Sequence, residues 1–273
     1  MYDMAASAIR EAEVFIITAG AGMGVDSGLP DFRGNKGFWN AYPAYEQLGL
    51  SFEECANPMH FAMSPEFGWG FYGHRTNLYR ETVPHEGFHI IQKWIRRNNA
   101  EYFVVTSNVD GQFQKAGYDE DMIEEIHGSI HWLQCQARCS ETIWKNDACF
   151  TIDDATMKAT GTLPLCPHCE KIARPNILMF GDYAWISSRA NEQGRRFYDF
   201  LKRNDEKQIV VIEIGAGTSI PSIRRLSENI GSRRKNVTVI RINPREPKIK
   251  KPHISIINSA LEGVRNIDAE LGM

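Results

Sequence analysis

The feature that most constrains this chain is a β-branched apolar run that ends in glycines, and it occurs twice. Val14-Phe15-Ile16-Ile17-Thr18 leads into Gly20-Ala21-Gly22, and Ile209-Val210-Val211-Ile212-Glu213-Ile214 leads into Gly215-Ala216-Gly217-Thr218-Ser219. Short apolar runs bounded by glycine read as buried strands. A strand tip with so little side-chain bulk suits close approach of backbone N–H groups to a phosphate. One such turn is weak evidence. The strict dinucleotide fingerprint also fails here, because Val25 stands where the third glycine or alanine belongs.

Further strand patterns are Tyr102 to Thr106, a weaker one over 122–126, a short one over 177–180, then Val237 to Ile242 and His253 to Ile257. Helical spacing marks residues 3–12, 60–80, 86–97, 186–203 and 259–271. Strands alternating with helices predict an α/β fold with a doubly wound parallel sheet. Residues 35–97 show no strand pattern and read as a mostly helical insertion. Ligands of an open α/β sheet sit at the carboxyl ends of the strands. The two glycine turns and Asn243, which follows the Val237 to Ile242 strand, then share one rim. A dehydrogenase would carry an acid about 20 residues past the first glycine, at a strand end. Trp39-Asn40-Ala41-Tyr42 occupies that region, which argues against simple hydride transfer.

At 273 residues, 42% apolar and 24% charged, the chain has the makeup of a soluble globular protein. A net charge of -3 gives no reason to expect nucleic acid as the main partner. Arg224, Arg225, Arg233, Arg234, Lys235, Arg241, Arg245, Lys248, Lys250 and Lys251 crowd one segment, read as a solvated face with phosphate contacts rather than a nucleic-acid patch. No apolar run reaches the roughly 20 residues that span a membrane, and Asp3, Arg10 and Glu11 do not fit a signal peptide. The expectation is a cytoplasmic protein with no membrane contact. The sequence gives no oligomeric state.

Several side chains carry local chemistry. Tyr72 and Arg75 share a helix face, and a phenol beside a guanidinium can bind a carboxylate. The plainer reading is an arginine facing solvent. Asn108 and Asp110 follow the strand at 102–106, where both residue types are also common turn formers. His127, one of eight histidines, precedes Gly128-Ser129 and could act as a base near neutral pH. Cys135-x3-Cys139 and Cys166-x2-Cys169 read as four thiolate ligands of a structural zinc. Cys149 could replace Cys139 if the loop pairs differently, and Cys55 has no evident partner.

Gly20-Ala21-Gly22-Met23-Gly24-Val25-Asp26-Ser27-Gly28-Leu29-Pro30-Asp31-Phe32-Arg33 resembles the cofactor loop of the sirtuins, the NAD-dependent protein deacylases. The family form is Gly-Ala-Gly-x-Ser-x-x-Ser-Gly-Ile-Pro-Asp-Phe-Arg, so Gly24 and Leu29 are departures. Other family motifs follow in family order from about residue 10 to 260: Thr106-Ser107-Asn108-Val109-Asp110, then His127-Gly128-Ser129, the cysteines and Arg174 to Asp182. The resemblance is to the bacterial type, with a Tyr-x-x-Arg pair similar to the one that reads succinyl or malonyl groups in class III sirtuins.

The resemblance implies a Rossmann-like domain formed by 1–34, 98–130 and 175–273, a helical insertion and cofactor-binding loop at 35–97, and a zinc-binding module at 131–174. The last two would form a smaller lobe, with the site in the cleft. It implies NAD as co-substrate, structural zinc, and an acylated protein or peptide as partner. Gly20, Ala21, Gly22, Asp31, Phe32, Arg33 and Ser107 would bind NAD. Asp110 would hold the nicotinamide carboxamide, and Asn108 would position the nicotinamide ribose or a water. Gly217, Thr218, Ser219 and Asn243 would hold the adenosine end. Ser107 replaces a family glutamine that reaches the ribose hydroxyls. His127 would be the general base, Tyr72 and Arg75 would bind the acyl group, and the backbone at Phe180 and Gly181 would pair with the substrate. The implied reaction is lysine deacylation (deacetylation, desuccinylation or demalonylation) releasing nicotinamide and O-acyl-ADP-ribose. The departures also admit ADP-ribosyl transfer or NAD hydrolysis, and a non-catalytic NAD sensor is the third reading.

Overall fold

The computed structural model describes residues 1–31 and 34–272. In chain order the strands are β1 (Val14–Ala19), β2 (Glu101–Thr106), β3 (Ile123–Glu125), β4 (Gly128–Cys135), β5 (Ile143–Lys145), β6 (Thr151–Asp153), β7 (Lys158–Thr160), β8 (Ala173–Ile177), β9 (Ile209–Ile214), β10 (Val237–Ile242) and β11 (Ile254–Ile256). The helices are α1 (Tyr2–Glu11), α2 (Gly34–Ala41), α3 (Pro43–Gln47), α4 (Phe52–Cys55), α5 (Met59–Met63), α6 (Pro65–Glu81), α7 (Glu86–Arg97), α8 (Gln112–Lys115), α9 (Ser188–Arg203), α10 (Ser222–Arg233) and α11 (Ala260–Glu270).

Six strands form one sheet in the order β11-β10-β9-β1-β2-β3, and every pairing in it is parallel. β1 lies inside the sheet and is buried along its whole length, which explains its unbroken apolar run. Its side chains alternate between two cores. Phe15 and Ile17 join Ile9 of α1, Ile91 and Trp94 of α7 and Val264 of α11 on one face. Val14 and Ile16 join Phe197 and Phe200 of α9 and Ile223 and Ile230 of α10 on the other. The sheet is therefore doubly wound, as the alternation of strands and helices predicts.

A second lobe has its own core. Phe38, Tyr42, Tyr45, Phe61, Trp69, Phe71 and Tyr72 from the helical insertion pack with Leu133, Phe150, Met157 and Ala159 from the cysteine-bearing stretch. α6 is the spine of this lobe. Trp69 stacks on Phe150 with ring centres 4.6 Å apart, and its indole N–H donates to Ala173 O at 2.9 Å. A Cβ on Gly70 would lie 1.9 Å from Met157 O, so only glycine lets the β6–β7 hairpin seat on the helix. The insertion and the cysteine stretch thus share one hydrophobic core. α7 belongs instead with the large sheet.

The strand expected over 177–180 lies earlier, at 173–177. It pairs antiparallel with β4, and past Ile177 the chain turns. Arg174 and Asp182 close that turn through a bidentate pair at 2.7 and 2.9 Å, both side chains fully buried. Removing either partner of such a pair costs about 3–5 kcal/mol, because the other charge is left buried alone. β4 to β7 and α10 lie where the sequence shows little apolar periodicity.

Candidate active site

The carboxyl ends of β1, β2, β3, β9 and β10 converge on one rim. The hydrogen-bond ladder continues past the strand tips. Gly20 N–H donates to Ile214 O at 3.0 Å, Gly22 N–H to Gly215 O at 3.1 Å, and Gly215 N–H to Ile242 O at 3.1 Å. The two glycine turns therefore lie directly against each other. Gly215 has φ +65°, in the left-handed region that favours glycine. The glycines serve this contact between turns as well as any ligand.

After β2, Asn108 Nδ2 donates to Gly20 O at 3.0 Å, and Asn108 N–H donates to Thr106 Oγ1 at 3.0 Å. Asn108 thereby ties the β2 loop to the β1 loop. Asp110 is buried and accepts from Gln112 N–H at 3.0 Å. Burial pushes its carboxyl up to about 6, against the pull of that N–H. His131 holds the same loop from outside, its Nε2 lying 3.0 Å from Asp110 O.

His127 sits between β3 and β4. Burial holds its imidazole below the ordinary value, while a hydrogen bond to the Ser107 backbone pulls the other way. The ring is thus neutral at pH 7. With one nitrogen committed to that carbonyl as a donor, the other is left as an acceptor, the form a general base needs.

On the far side of the rim, Asn243 is fully buried. Its Nδ2 donates to Ala216 O at 2.9 Å, and its Oδ1 accepts from Arg245 N–H and Glu246 N–H at 3.0 and 2.9 Å. It staples the second glycine turn from beneath. Thr218 and Ser219 are exposed on that turn, and Thr218 Oγ1 donates to Glu246 at 2.5 Å. Gly217 is half-buried beside them. From the basic segment, Arg224 is buried with Nη1 on Ala216 O and Glu246 O, both at 3.0 Å. Arg241 is also buried, against Glu213 and Glu228. Both arginines thus hold the scaffold, where the sequence indicates a solvated face. Asp31 Oδ2 lies 3.9 Å from Arg245 Nη1. Phe32 and Arg33, the remainder of the expected cofactor loop, lie outside the described residues.

Tyr72 and Arg75 are both buried, which overturns the plainer reading of a solvent-facing arginine. The Arg75 guanidinium carbon lies 5.2 to 5.7 Å from the ring centres of Phe52, Phe71, Tyr72 and Tyr79. Burial raises the Tyr72 and Tyr79 phenols, so both stay protonated. At the segment expected to pair with substrate, Phe180 N–H donates to Ala56 O at 3.0 Å and Leu178 N–H to His127 O at 2.9 Å. Those two N–H groups are already engaged within the chain. Gly181 adopts φ +66° in the turn that follows.

The metal-site residues meet as the spacing predicts. The sulfurs of Cys135, Cys139, Cys166 and Cys169 all lie within 4.8 Å of one another. Cys135 Sγ is 3.6 Å from Cys169 Sγ, and Cys139 Sγ is 3.5 Å from Cys166 Sγ. These separations are too long for disulfides and close to the edges of a zinc–thiolate tetrahedron with bonds of about 2.3 Å. Four thiolates make a closed, structural set. Cys149 is exposed and outside it.

A model of the Sir2 family matches residues 20–218. This chain belongs to the Sir2 family. Among relatives, it is 28% identical over 238 residues to an NAD-dependent protein deacylase of Aquifex aeolicus, covering 86% of this chain and 85% of that one. It is 30% identical over 167 residues to an NAD-dependent protein deacylase of Leptospira interrogans, covering 60% of this chain and 58% of the relative. The Sir2 architecture extends to solved structures. A Sir2 homologue in complex with NAD superposes with a TM-score of 0.73 at 22% identity, covering 98% of this chain and 93% of that one. A Sir2 homologue mutant bound to ADP-ribose gives 0.73 at 23% identity, covering 99% and 98%.

Two residues outside the sequence-predicted set pack against it, Tyr79 on Arg75 and His131 on the Asp110 carbonyl. Tyr79 stands four residues after Arg75 on α6, a spacing that places both on one helix face and could have marked it. His131 carried no motif. Asp110, Gly111 and His131 also border a cleft of 500 Å³, walled further by Tyr79, Trp132 and Arg189, that no sequence pattern announced.

Proposed function

We propose that this Sir2-family chain is an NAD-dependent protein-lysine deacylase. The observation that supports it is the meeting on one rim of the paired glycine turns, Asn108 tied to Gly20, a buried Asp110 and a neutral, partly sequestered His127. NAD, when bound, supplies an anomeric carbon from which nicotinamide leaves and on which the acyl oxygen is captured. The glycine turns, with so little side-chain bulk, would let its phosphates approach the backbone closely. Asp110 takes the nicotinamide carboxamide, and Asn108 sets the ribose or a water. Thr218 and Ser219 meet the adenosine end, with Asn243 shaping their loop. His127 accepts a proton from a ribose hydroxyl. The four cysteines hold zinc away from the reacting atoms and fix the smaller lobe.

The lobes divide, in this reading, into a sheet domain of 1–34, 86–130 and 175–273 and a smaller lobe of 35–85 with 131–174. Its partner is an acylated protein. No described helix is long and apolar enough to cross a membrane, and we place the enzyme in the cytoplasm. Buried Arg75 and Tyr72 favour an acidic acyl group, succinyl or malonyl, over acetyl. A guanidinium already desolvated in an aromatic box gains more from a carboxylate than from a methyl group.

Nicotinamide release tests this, with acetyl-lysine peptide, succinyl-lysine peptide and no peptide in parallel. Peptide-dependent release is expected, faster with succinyl. Peptide-independent release would replace deacylation by NAD hydrolysis or ADP-ribosyl transfer, and binding without release would make the protein a sensor.

A further inference from the structure

Arg75 needs orientation as well as burial if it is to read a carboxylate. A guanidinium meets a carboxylate best through two parallel N–H bonds, so the plane of the fork matters as much as its position. Tyr79, one helical turn further along α6, supplies that constraint. Its hydroxyl accepts from Arg75 Nε at 3.0 Å and from Arg75 Nη2 at 2.7 Å. One oxygen gripping two N–H groups of the same guanidinium restricts both tilt and translation. The Tyr79 ring adds a wall, 5.4 Å from the guanidinium carbon, completing the box made by Phe52, Phe71 and Tyr72. Tyr79 is buried at 4% exposure, so no bulk water competes for the contact.

We propose that Tyr79 is a positioning residue for acyl selection, setting through its hydroxyl the orientation in which Arg75 accepts an acidic acyl group. The inference rests on the acidic-acyl reading above. Tyr79 touches none of the reacting atoms and acts through Arg75. It also lies between that arginine and the loop of Asp110. The Asp110 charge acts on the Tyr79 phenol, and both residues border the 500 Å³ cleft. The acyl-reading group and the proposed nicotinamide-holding group are thereby held by one stretch of helix and loop.

The Tyr79→Phe variant keeps the ring and deletes only the oxygen. The readout is the ratio of kcat/KM for succinyl-lysine peptide to that for acetyl-lysine peptide, at saturating NAD, with thermal unfolding as the check on folding. The ratio should fall about tenfold, carried by KM for the succinyl peptide, since a small misplacement of a binding group is costly. Arg75→Met alone should remove the preference. Adding Tyr79→Phe to Arg75→Met should change the ratio no further, because residues acting through one contact are not additive. Equal losses on both peptides, or an undiminished Tyr79→Phe effect in the Arg75→Met background, would overturn the proposal. A parent enzyme with no preference for succinyl would overturn the acidic-acyl reading and this inference together. A parental preference that survives Tyr79→Phe would overturn this inference alone.

Discussion

A Cβ placed on Gly22 would stand 2.6 Å from Gly215 Cα, and one on Gly215 would stand 2.4 Å from Gly22 Cα. Backbone faces backbone here, so neither side can yield as a flexible side chain would. Gly22→Ala and Gly215→Ala should each destabilise the protein by about 2–4 kcal/mol, read from urea unfolding. A change below about 0.5 kcal/mol, the usual range of surface substitutions, would show that the two turns do not press on each other in solution.

The two departures from the sirtuin loop pattern touch each other. A Cβ on Gly24 would lie 3.0 Å from Leu29 Cδ1 and 3.3 Å from Leu29 Cβ. Gly24 has φ -84°, which any residue accepts, so a substitution there meets a steric limit alone. Gly24→Ala should cost about 1 kcal/mol. In a Leu29→Ala background the 3.0 Å contact is gone and only the 3.3 Å contact to Cβ remains, so the same change should cost less. Identical costs in both backgrounds would disprove the coupling.

His127→Ala should lower kcat by about 10²–10⁴-fold without loss of fold, the usual contribution of a general base. For a general base at this position the neutral imidazole would be the active form. Because burial lowers the imidazole of the peptide-free enzyme from 6.5, kcat/KM for the peptide should rise with pH along a limb centred below 6.5 and then stay flat through neutrality. A limb centred above that value would remove His127 from the role.

Asp110 gives a pH effect of the opposite kind on stability. Its folded carboxyl titrates at about 6 against an ordinary 3.8, so the native state binds the proton first as pH falls. Between those values stability decreases as pH rises, and the burial cost is complete above about 6. Asp110→Asn should therefore stabilise the protein by about 1–3 kcal/mol at pH 8 and leave it unchanged at pH 3. The same variant should raise KM for NAD, and the parent KM for NAD should climb below about pH 6. Calorimetry across that range, beside steady-state kinetics, checks both.

Elemental analysis should find one zinc per chain, held by the four clustered cysteines. Strong chelation or Cys166→Ser should lower Tm and disorder the β4–β5–β8 end first, because binding energy at such a site is folding energy. Retention of full Tm in metal-free protein would contradict a structural site.

The sheet was legible because its interior strands are buried on both faces, which writes an apolar run at β1 and near-continuous ones at β2, β9 and β10, interrupted only by residues such as Glu213, Thr238 and Arg241. The smaller lobe was not, because β5, β6 and β7 are three residues each and half-exposed. Three residues cannot display a period. The cysteine quartet was readable from spacing alone, since thiolate ligands lie close in sequence by geometry. Tyr79 and His131 escaped because their partners, a guanidinium in an aromatic box and a loop carbonyl, are created by packing. Arg224 and Arg241 misled for the same reason. A run of cations looks solvated until the fold supplies Glu213, Glu228 and backbone carbonyls for them.

β4 begins one residue after His127 and ends at Cys135. The strand works as a tether with the proposed base at one end and a metal clamp at the other. Along its length it pairs with β8, with one register shift between Ser129 and Leu133. If metal loading is felt at His127 through this single run of backbone, a partly demetallated enzyme should show slowed chemistry before it shows any loss of secondary structure. Parallel loss of turnover and circular dichroism during chelation would instead mean that the two ends fail as one unit.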